Sequence, residues 1–346
     1  MAKLKMGVIG VGGIAQERHI PAYSGMQDIV ELTALQDINV ERAKEAAENF
    51  QIPHVFENYN ELFKEVDAVT ICTPNKFHSE IAIAALEAGV HVLVEKPMAI
   101  TAEECQAMIA AAQKNDRLLS IAYHYRFTPE GKLGKEAIIN GEIGEPLVTR
   151  VQAMRRRKVP GWGVFTNKDL QGGGSLIDFG CHLLDLALWL LDDPKPVEVI
   201  GKTYDKLSKT PGQVNDWGAF DHETFNVDDH VTSYITFENG MSLQFECSWA
   251  ANIKEDYTAL SVSGVDGGMD VYPFQLYQTK YGTVWNSQPN LKEANLSPGF
   301  YQAKNFVDSC LGNDELVVKP EQALKVTKLM EAIYKSSEIG SSVKLT

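Results

Sequence analysis

Across the first 125 residues, five short apolar runs alternate with four stretches of helical periodicity, and this alternation restricts the fold more than any other feature. The runs Leu4–Ile9, Val30–Leu35, Ala68–Ile71, His91–Val94 and Leu118–Ala122 are continuously apolar, as strands covered on both faces require. Between them, Ala15–Tyr23, Val40–Phe50, Ser79–Ala88 and Ala102–Lys114 carry apolar residues at helical spacing, and a short helix is expected at Glu61–Lys64. Such alternation implies parallel strands joined by crossover helices.

After Tyr125 the pattern changes. A helix is expected over Pro129–Asn140, ended by Gly141. Longer strands with two-residue alternation follow at Val148–Met154, Val197–Thr203, Val231–Phe237, Ser242–Trp249 and Thr258–Ser263, and Asn239-Gly240 signals a hairpin. Helices are expected at Leu183–Leu191 and near Glu321–Ser336, and the polar insertion Lys206–Asn226 reads as a loop near the mouth of a site. At 346 residues the chain exceeds most single cores. The expectation is an α/β dinucleotide-type domain over residues 1–125 and an α+β domain over 126–346, built on a large, open, mostly antiparallel sheet. The open face of that sheet calls for a second copy of the chain, as a homodimer or homotetramer.

The formal net charge of −14 repels nucleic acid and anionic membrane surfaces. Against it stands the run Arg155-Arg156-Arg157-Lys158, read either as a solvated strand end or as a site wall meeting an anionic substrate or cofactor phosphates. Apolar runs are too short to span a bilayer and no signal-peptide pattern is present, so a cytoplasmic location is expected. Five scattered cysteines suit neither a disulfide framework nor a zinc ribbon.

Gly10-x-Gly12-x-x-Ala15, with Gly13 and Ile14 inside it, ends the first strand and opens a helix. Glycine permits the tight turn and backbone approach to a pyrophosphate, and the helix N-terminus attracts the anion. Asp37, at the end of the second strand, is placed to accept from an adenosine ribose and to repel a 2′-phosphate, which favours NAD over NADP. Thr73-Pro74-Asn75 follows another strand and is expected along the nicotinamide end, and His78 is either part of that loop or an ordinary helix start. Glu95-Lys96-Pro97 closes the run His91–Val94. Lys96 is held there by a stiff backbone, and its alternative is a surface pair with Glu95.

Gly172-Gly173-Gly174 leads to Asp178, His182 and Asp185 at i, i+4 and i+7, on one helical face. The glycines are expected to let backbone approach a ligand. His182 suits a general base for an alcohol proton, and Asp178 suits a second hydroxyl. A metal is the other reading of such a cluster, but no third ligand stands out. Tyr123 and Arg126, at the change of pattern, either line the site or pack. Arg155 belongs to the possible wall, and Trp162 is placed to stack on a sugar ring or to cover the site.

Taken together, these motifs resemble the Gfo/Idh/MocA family of glucose–fructose oxidoreductase and inositol dehydrogenase relatives, over essentially the whole chain. The resemblance implies an N-terminal Rossmann domain, a C-terminal sheet that mediates oligomers, and oxidation of a secondary hydroxyl on a sugar, inositol or polyol with NAD(P). It also implies that Lys96, Asp178 and His182 form the catalytic set. Two other readings on the same fold are a redox-neutral, NAD-dependent glycoside-cleaving enzyme and a non-catalytic sensor.

Overall fold

The computed structural model describes residues 3–291 and 296–345. These form two compact units, one from within 1–127 and 295–327, the other from within 128–294 and 328–346. Segment 296–327 packs with the first unit, where a single cut after residue 125 would leave it with the second. The cause is apolar burial: Ala303, Phe306 and Val307 of the helix Pro298–Cys310 fill the same core as Ile20, Tyr23 and Met26.

Among its described residues the first unit holds a six-stranded sheet of strands β1 (Leu4–Ile9), β2 (Val30–Gln36), β3 (His54–Phe56), β4 (Ala68–Ile71), β5 (His91–Val94) and β6 (Leu119–Ile121), in the order β3-β2-β1-β4-β5-β6. All neighbours are parallel, and this is the expected Rossmann arrangement. Sequence pattern misses β3, whose three residues are exposed or half-buried and carry no apolar run. Register aligns the strand ends. Ile9 pairs with Gln36 and with Ile71, and Ile71 pairs with Val94. The ladder extends one residue further through Gly10 N–H to the Gln36 carbonyl (2.8 Å), Cys72 to Ile9 (2.7 Å) and Glu95 to Ile71 (2.9 Å). Four strands therefore end level, and the residues after them form one rim at the carboxyl edge.

The second unit is built on a nine-stranded sheet, counted among its described residues, in the order β14-β13-β12-β11-β7-β10-β9-β8-β15. Its strands are β7 (Pro146–Met154), β8 (Pro196–Tyr204), β9 (His230–Phe237), β10 (Ser242–Ser248), β11 (Tyr257–Gly264), β12 (Gly267–Asp270), β13 (Gln275–Lys280), β14 (Thr283–Ser287) and β15 (Val343–Lys344). Neighbours are antiparallel except β7 and β10, which run parallel. The helix Cys181–Leu190 begins earlier than expected, through a π-turn over Leu176–Gly180; the turn packs on β10 and the helix on β7. Among the described residues, no helix is long and apolar enough to cross a membrane.

Candidate active site

In the first unit the rim gathers Gly10, Gly12, Gly13, Ile14, Asp37, Thr73, Pro74, Asn75, Glu95 and Lys96, all just beyond the level strand ends. Gly10 has a left-handed φ of 83°, and a Cβ there would meet the Cys72 carbonyl carbon at 2.8 Å, so the turn admits only glycine. A Cβ on Gly12 would meet nothing within 4 Å. The open side of the loop thus lies at Gly12, over the start of the helix, whose first turn is capped by no side chain among the described residues. Asp37 is buried, and its Oδ2 accepts from Val11 N–H at 2.7 Å, which ties the turn to β2.

Arg42 does not directly follow Asp37 in the sequence. It lies one helical turn on and clasps the carboxylate, with Nη2 2.7 Å from Oδ1 and 2.8 Å from Oδ2. Its side chain is 44% exposed, so the guanidinium covers Asp37 from the solvent side. Ile38, 94% exposed beside that carboxylate, is a second feature that pattern alone did not single out.

Beneath the rim, polar side chains fasten the loops. His78 is fully buried, with Nδ1 2.8 Å from the Pro97 carbonyl and Nε2 2.9 Å from the Thr73 carbonyl. It staples the Thr73-Pro74-Asn75 loop to the Glu95-Lys96-Pro97 loop rather than facing solvent, and burial lowers its pKa against those two carbonyl bonds. Burial pushes the Glu95 carboxyl up, but the His19 hydrogen bond at 2.7 Å and the charges of His19, Lys96 and Arg18 outweigh it, lowering the pKa to about 2. The Lys96 backbone N–H donates to Glu95 Oε2 at 3.1 Å, so this carboxylate sets the backbone that carries the lysine. Arg18 lies 3.1 Å from His124 Nδ1, and burial together with that cation lowers the His124 pKa to about 3.

Tyr123 and Arg126 are interior residues, at 0% and 1% exposure. Arg126 Nη1 donates to the Val317 carbonyl (2.9 Å) and to Gln322 Oε1 (2.6 Å), fastening residues 124–127 to segment 296–327. Packing, the second of the two readings of this pair, is where the structure places them.

In the second unit one carboxylate organises the helix that carries Asp178 and His182. Asp228 accepts from Gly174 N–H (2.8 Å), Ser175 Oγ (2.8 Å), Leu176 N–H (2.9 Å) and Tyr334 Oη (2.6 Å). This caps the helix start, a contribution of about 0.5–2 kcal/mol for an ordinary cap. The glycine run serves this packing and not a ligand: a Cβ on Gly174 would lie 1.9 Å from the Asp228 carbonyl oxygen, and one on Gly173 2.1 Å from Tyr334 Oη.

Asp178 then emerges partly exposed, and its Oδ2 accepts from Trp249 Nε1 at 3.0 Å and from Arg155 Nη1 at 3.3 Å. His182, at 7% exposure, follows one turn later, and Asp185 is fully buried. The Arg155 guanidinium lies 4.2 Å from the Phe179 ring centroid and 4.7 Å from that of Trp217. Trp217 comes from the polar insertion, and Trp162 stands beside it at 5.3 Å. Trp217, Trp249 and Asp228 were missed by sequence reasoning, because each acts on a segment more than 50 residues away.

All four members of the basic run are engaged. Arg155 pairs with Asp178 (3.3 Å), Arg156 donates to Asp256 and to the Lys254 carbonyl, and Lys158 pairs with Asp256. Arg157 donates to the carbonyls of Val214, Leu207 and Ala250 and to Gln213, so it anchors the insertion. The foot of that insertion rests on buried Asp229, which accepts from Ser208 N–H at 2.6 Å. Burial, with the charges of Asp205 and Asp228, raises the Asp229 pKa to about 6 against the Ser208 bonds.

Residues 4–123 match the model of the GFO_IDH_MocA oxidoreductase family, NAD-binding Rossmann fold, and residues 133–270 match the GFO/IDH/MocA C-terminal domain. The chain belongs to the Gfo/Idh/MocA family. D-glucoside 3-dehydrogenase of Escherichia coli (strain K12) is 35% identical over 348 residues, covering 99% of this chain and 97% of the relative. Levoglucosan dehydrogenase of Pseudarthrobacter phenanthrenivorans is 30% identical over 297 residues, 78% of this chain and 73% of the relative. A solved levoglucosan dehydrogenase in complex with NADH and levoglucosan has a TM-score of 0.85 at 24% identity, covering 99% of both chains, a likeness of fold.

The protein is thus an oxidoreductase with an NAD-binding Rossmann domain. Its rim suits that cofactor: open space at Gly12, a carboxylate at Asp37, exposed Ile38 and a buried Thr73 hydroxyl with no hydrogen-bond partner among the described residues. Gly12 to Ile14 would face the pyrophosphate, and Asp37 the ribose.

Two predictions follow from these contacts. Asp37→Ala removes the carboxylate and releases Arg42, a cation suited to a 2′-phosphate. The ratio of NADPH to NADH affinity, read by titration of the fluorescence of the reduced cofactors, is expected to rise about tenfold or more; an unchanged ratio would mean that Asp37 does not touch the ribose. Asp229 has its folded pKa raised from 3.8 to about 6, so the folded state holds its proton more tightly and stability falls as pH rises through that window. Asp229→Asn should remove this loss in denaturant unfolding, gaining on the wild type between acidic and neutral pH. A wild-type–variant difference that is flat with pH would contradict it.

Proposed function

We propose that the protein oxidises a secondary hydroxyl of a sugar, inositol or related polyol, with NAD as the acceptor. The observation that carries this reading is Asp178, oriented by Trp249 and Arg155 and followed one helical turn later by His182, beside half-exposed indole rings. A carboxylate of fixed orientation suits a sugar hydroxyl, and an imidazole suits the proton of the alcohol being oxidised. Full-length similarity to a protein named D-glucoside 3-dehydrogenase supports the same substrate class.

In this account bound NAD supplies the hydride acceptor. The first unit's loops orient the cofactor through Gly10, Gly12, Gly13, Ile14, Asp37 and the Thr73-Pro74-Asn75 loop, with His78 and Glu95 holding the loops from below. The His182 imidazole takes the hydroxyl proton as the C–H bond breaks, and Lys96 Nζ is hydrogen-bonded to the same hydroxyl oxygen. Asp178 accepts a hydrogen bond from a neighbouring hydroxyl, and Trp249 and Arg155 hold it in position. The reading also makes the protein cytoplasmic, and a homodimer or homotetramer through the second sheet.

Lys96→Ala and His182→Ala should each lower kcat by about a hundredfold or more, with NAD affinity changed little. The measurement is steady-state NADH formation alongside equilibrium cofactor binding. Turnover near wild type in either variant would remove that residue from the reacting hydroxyl.

A further inference from the structure

Trp162 and Trp217 are held half out in water, at 53% and 38% exposure, although neither is mounted loosely. Asn215 Oδ1 accepts from Val159 N–H at 2.7 Å, and Asn215 Nδ2 donates to the Val159 carbonyl at 2.9 Å. Asp216 N–H donates to the Arg157 carbonyl at 2.8 Å, and Arg157 holds the insertion through Val214, Leu207 and Gln213. Phe165, Phe220 and Phe225 root both loops in a small core with Val159 and Trp249. The two indoles therefore form a pre-set platform with centroids 5.3 Å apart.

Arg155 connects this platform to the reacting end. Its guanidinium covers Trp217 at 4.7 Å and reaches Asp178 at 3.3 Å, so the indoles lie one guanidinium away from the carboxylate. Arg155 and Lys158 are ion-paired with Asp178 and Asp256, whereas the guanidinium groups of Arg156 and Arg157 donate to backbone carbonyls and to Gln213. Beside the indoles, Arg155 is already paired with the Asp178 carboxylate, so the charge next to the platform is neutralised. What the platform offers is aromatic surface, which suits the flat, apolar face of a ring.

We propose that Trp162 and Trp217 form an outer stacking subsite for the second ring of a neutral glycoside, the ring carried on the glycosidic oxygen of the sugar whose hydroxyl is oxidised. The inference rests on the sugar-dehydrogenase reading and narrows its substrate class. It selects glycosides with a sugar or aryl second ring over free monosaccharides and sugar phosphates.

The test compares kcat/KM for NADH formation from glucose, methyl glucoside, phenyl glucoside and a glucose disaccharide, each in both anomeric forms, in the wild type, Trp217→Ala and Trp162→Ala. The wild type is expected to prefer a two-ring substrate over methyl glucoside by about tenfold or more, the scale of an aromatic contact. Trp217→Ala should collapse that ratio towards one, chiefly through KM. A disaccharide preference without a phenyl preference assigns the platform to a sugar ring, and the reverse assigns it to an aryl group. A wild-type ratio near one, or a ratio that survives in both variants, overturns the subsite. If no sugar yields NADH, the dehydrogenase reading fails, and titration of indole fluorescence with phenyl glucoside decides the subsite separately. Saturable quenching in the wild type that is lost in Trp217→Ala supports it, and absence of quenching overturns it.

Discussion

One carboxylate fixes the chemistry of the second unit. Asp228 accepts from two backbone N–H groups, a serine and a tyrosine, and so determines where the helix carrying Asp178 and His182 begins. Its demands reach into the sequence: Gly173 and Gly174 are glycine because Tyr334 and the Asp228 backbone occupy the space of their Cβ atoms. Losing this carboxylate would leave buried donors unsatisfied, at a cost of about 1–3 kcal/mol for each such group. The orientation of Asp178 depends on it, since Trp249 and Arg155 can meet only a carboxylate that emerges at this point of the helix.

The first unit reaches a comparable result by register. Level strand ends place Gly10, Asp37, the Thr73 loop and the Glu95 loop along one edge, and buried polar side chains join them. His78 joins two of the loops through their carbonyls, and Glu95 is kept ionised against its own burial by His19, Lys96 and Arg18. Both ring nitrogens of His78 and the Glu95 carboxylate are engaged in these contacts, which hold the loops from below. The net charge of −14 makes the basic run stand out, yet its four cations serve internal partners.

The parts legible in the sequence are those written in local pattern. Continuous apolar runs announced the parallel strands, two-residue alternation announced the second sheet, and the glycine turn and the Glu95-Lys96-Pro97 loop fell at strand ends as their composition required. The strand His54–Phe56 escaped because it is three residues long and none of them is fully buried. The placement of Pro298–Cys310 in the first core escaped because that core is assembled from segments almost 300 residues apart. Remote partners also account for the glycine run, whose neighbour is Asp228, and for Arg126, whose acceptors lie at Val317 and Gln322. Arg42 and Trp217 belong to the same class: each touches a recognised residue, but from a position that no motif spacing encodes.

The central claim is net oxidation of a sugar hydroxyl, and stoichiometry tests it most directly. The purified protein is incubated with NAD and a glycoside, NADH is followed at 340 nm, and the ketone product is quantified. The account predicts NADH accumulating in equal amount to the ketone, with the glycosidic bond intact. Consumption of glycoside with bond cleavage and no net NADH would contradict it, and would assign the same residues to a redox-neutral reaction.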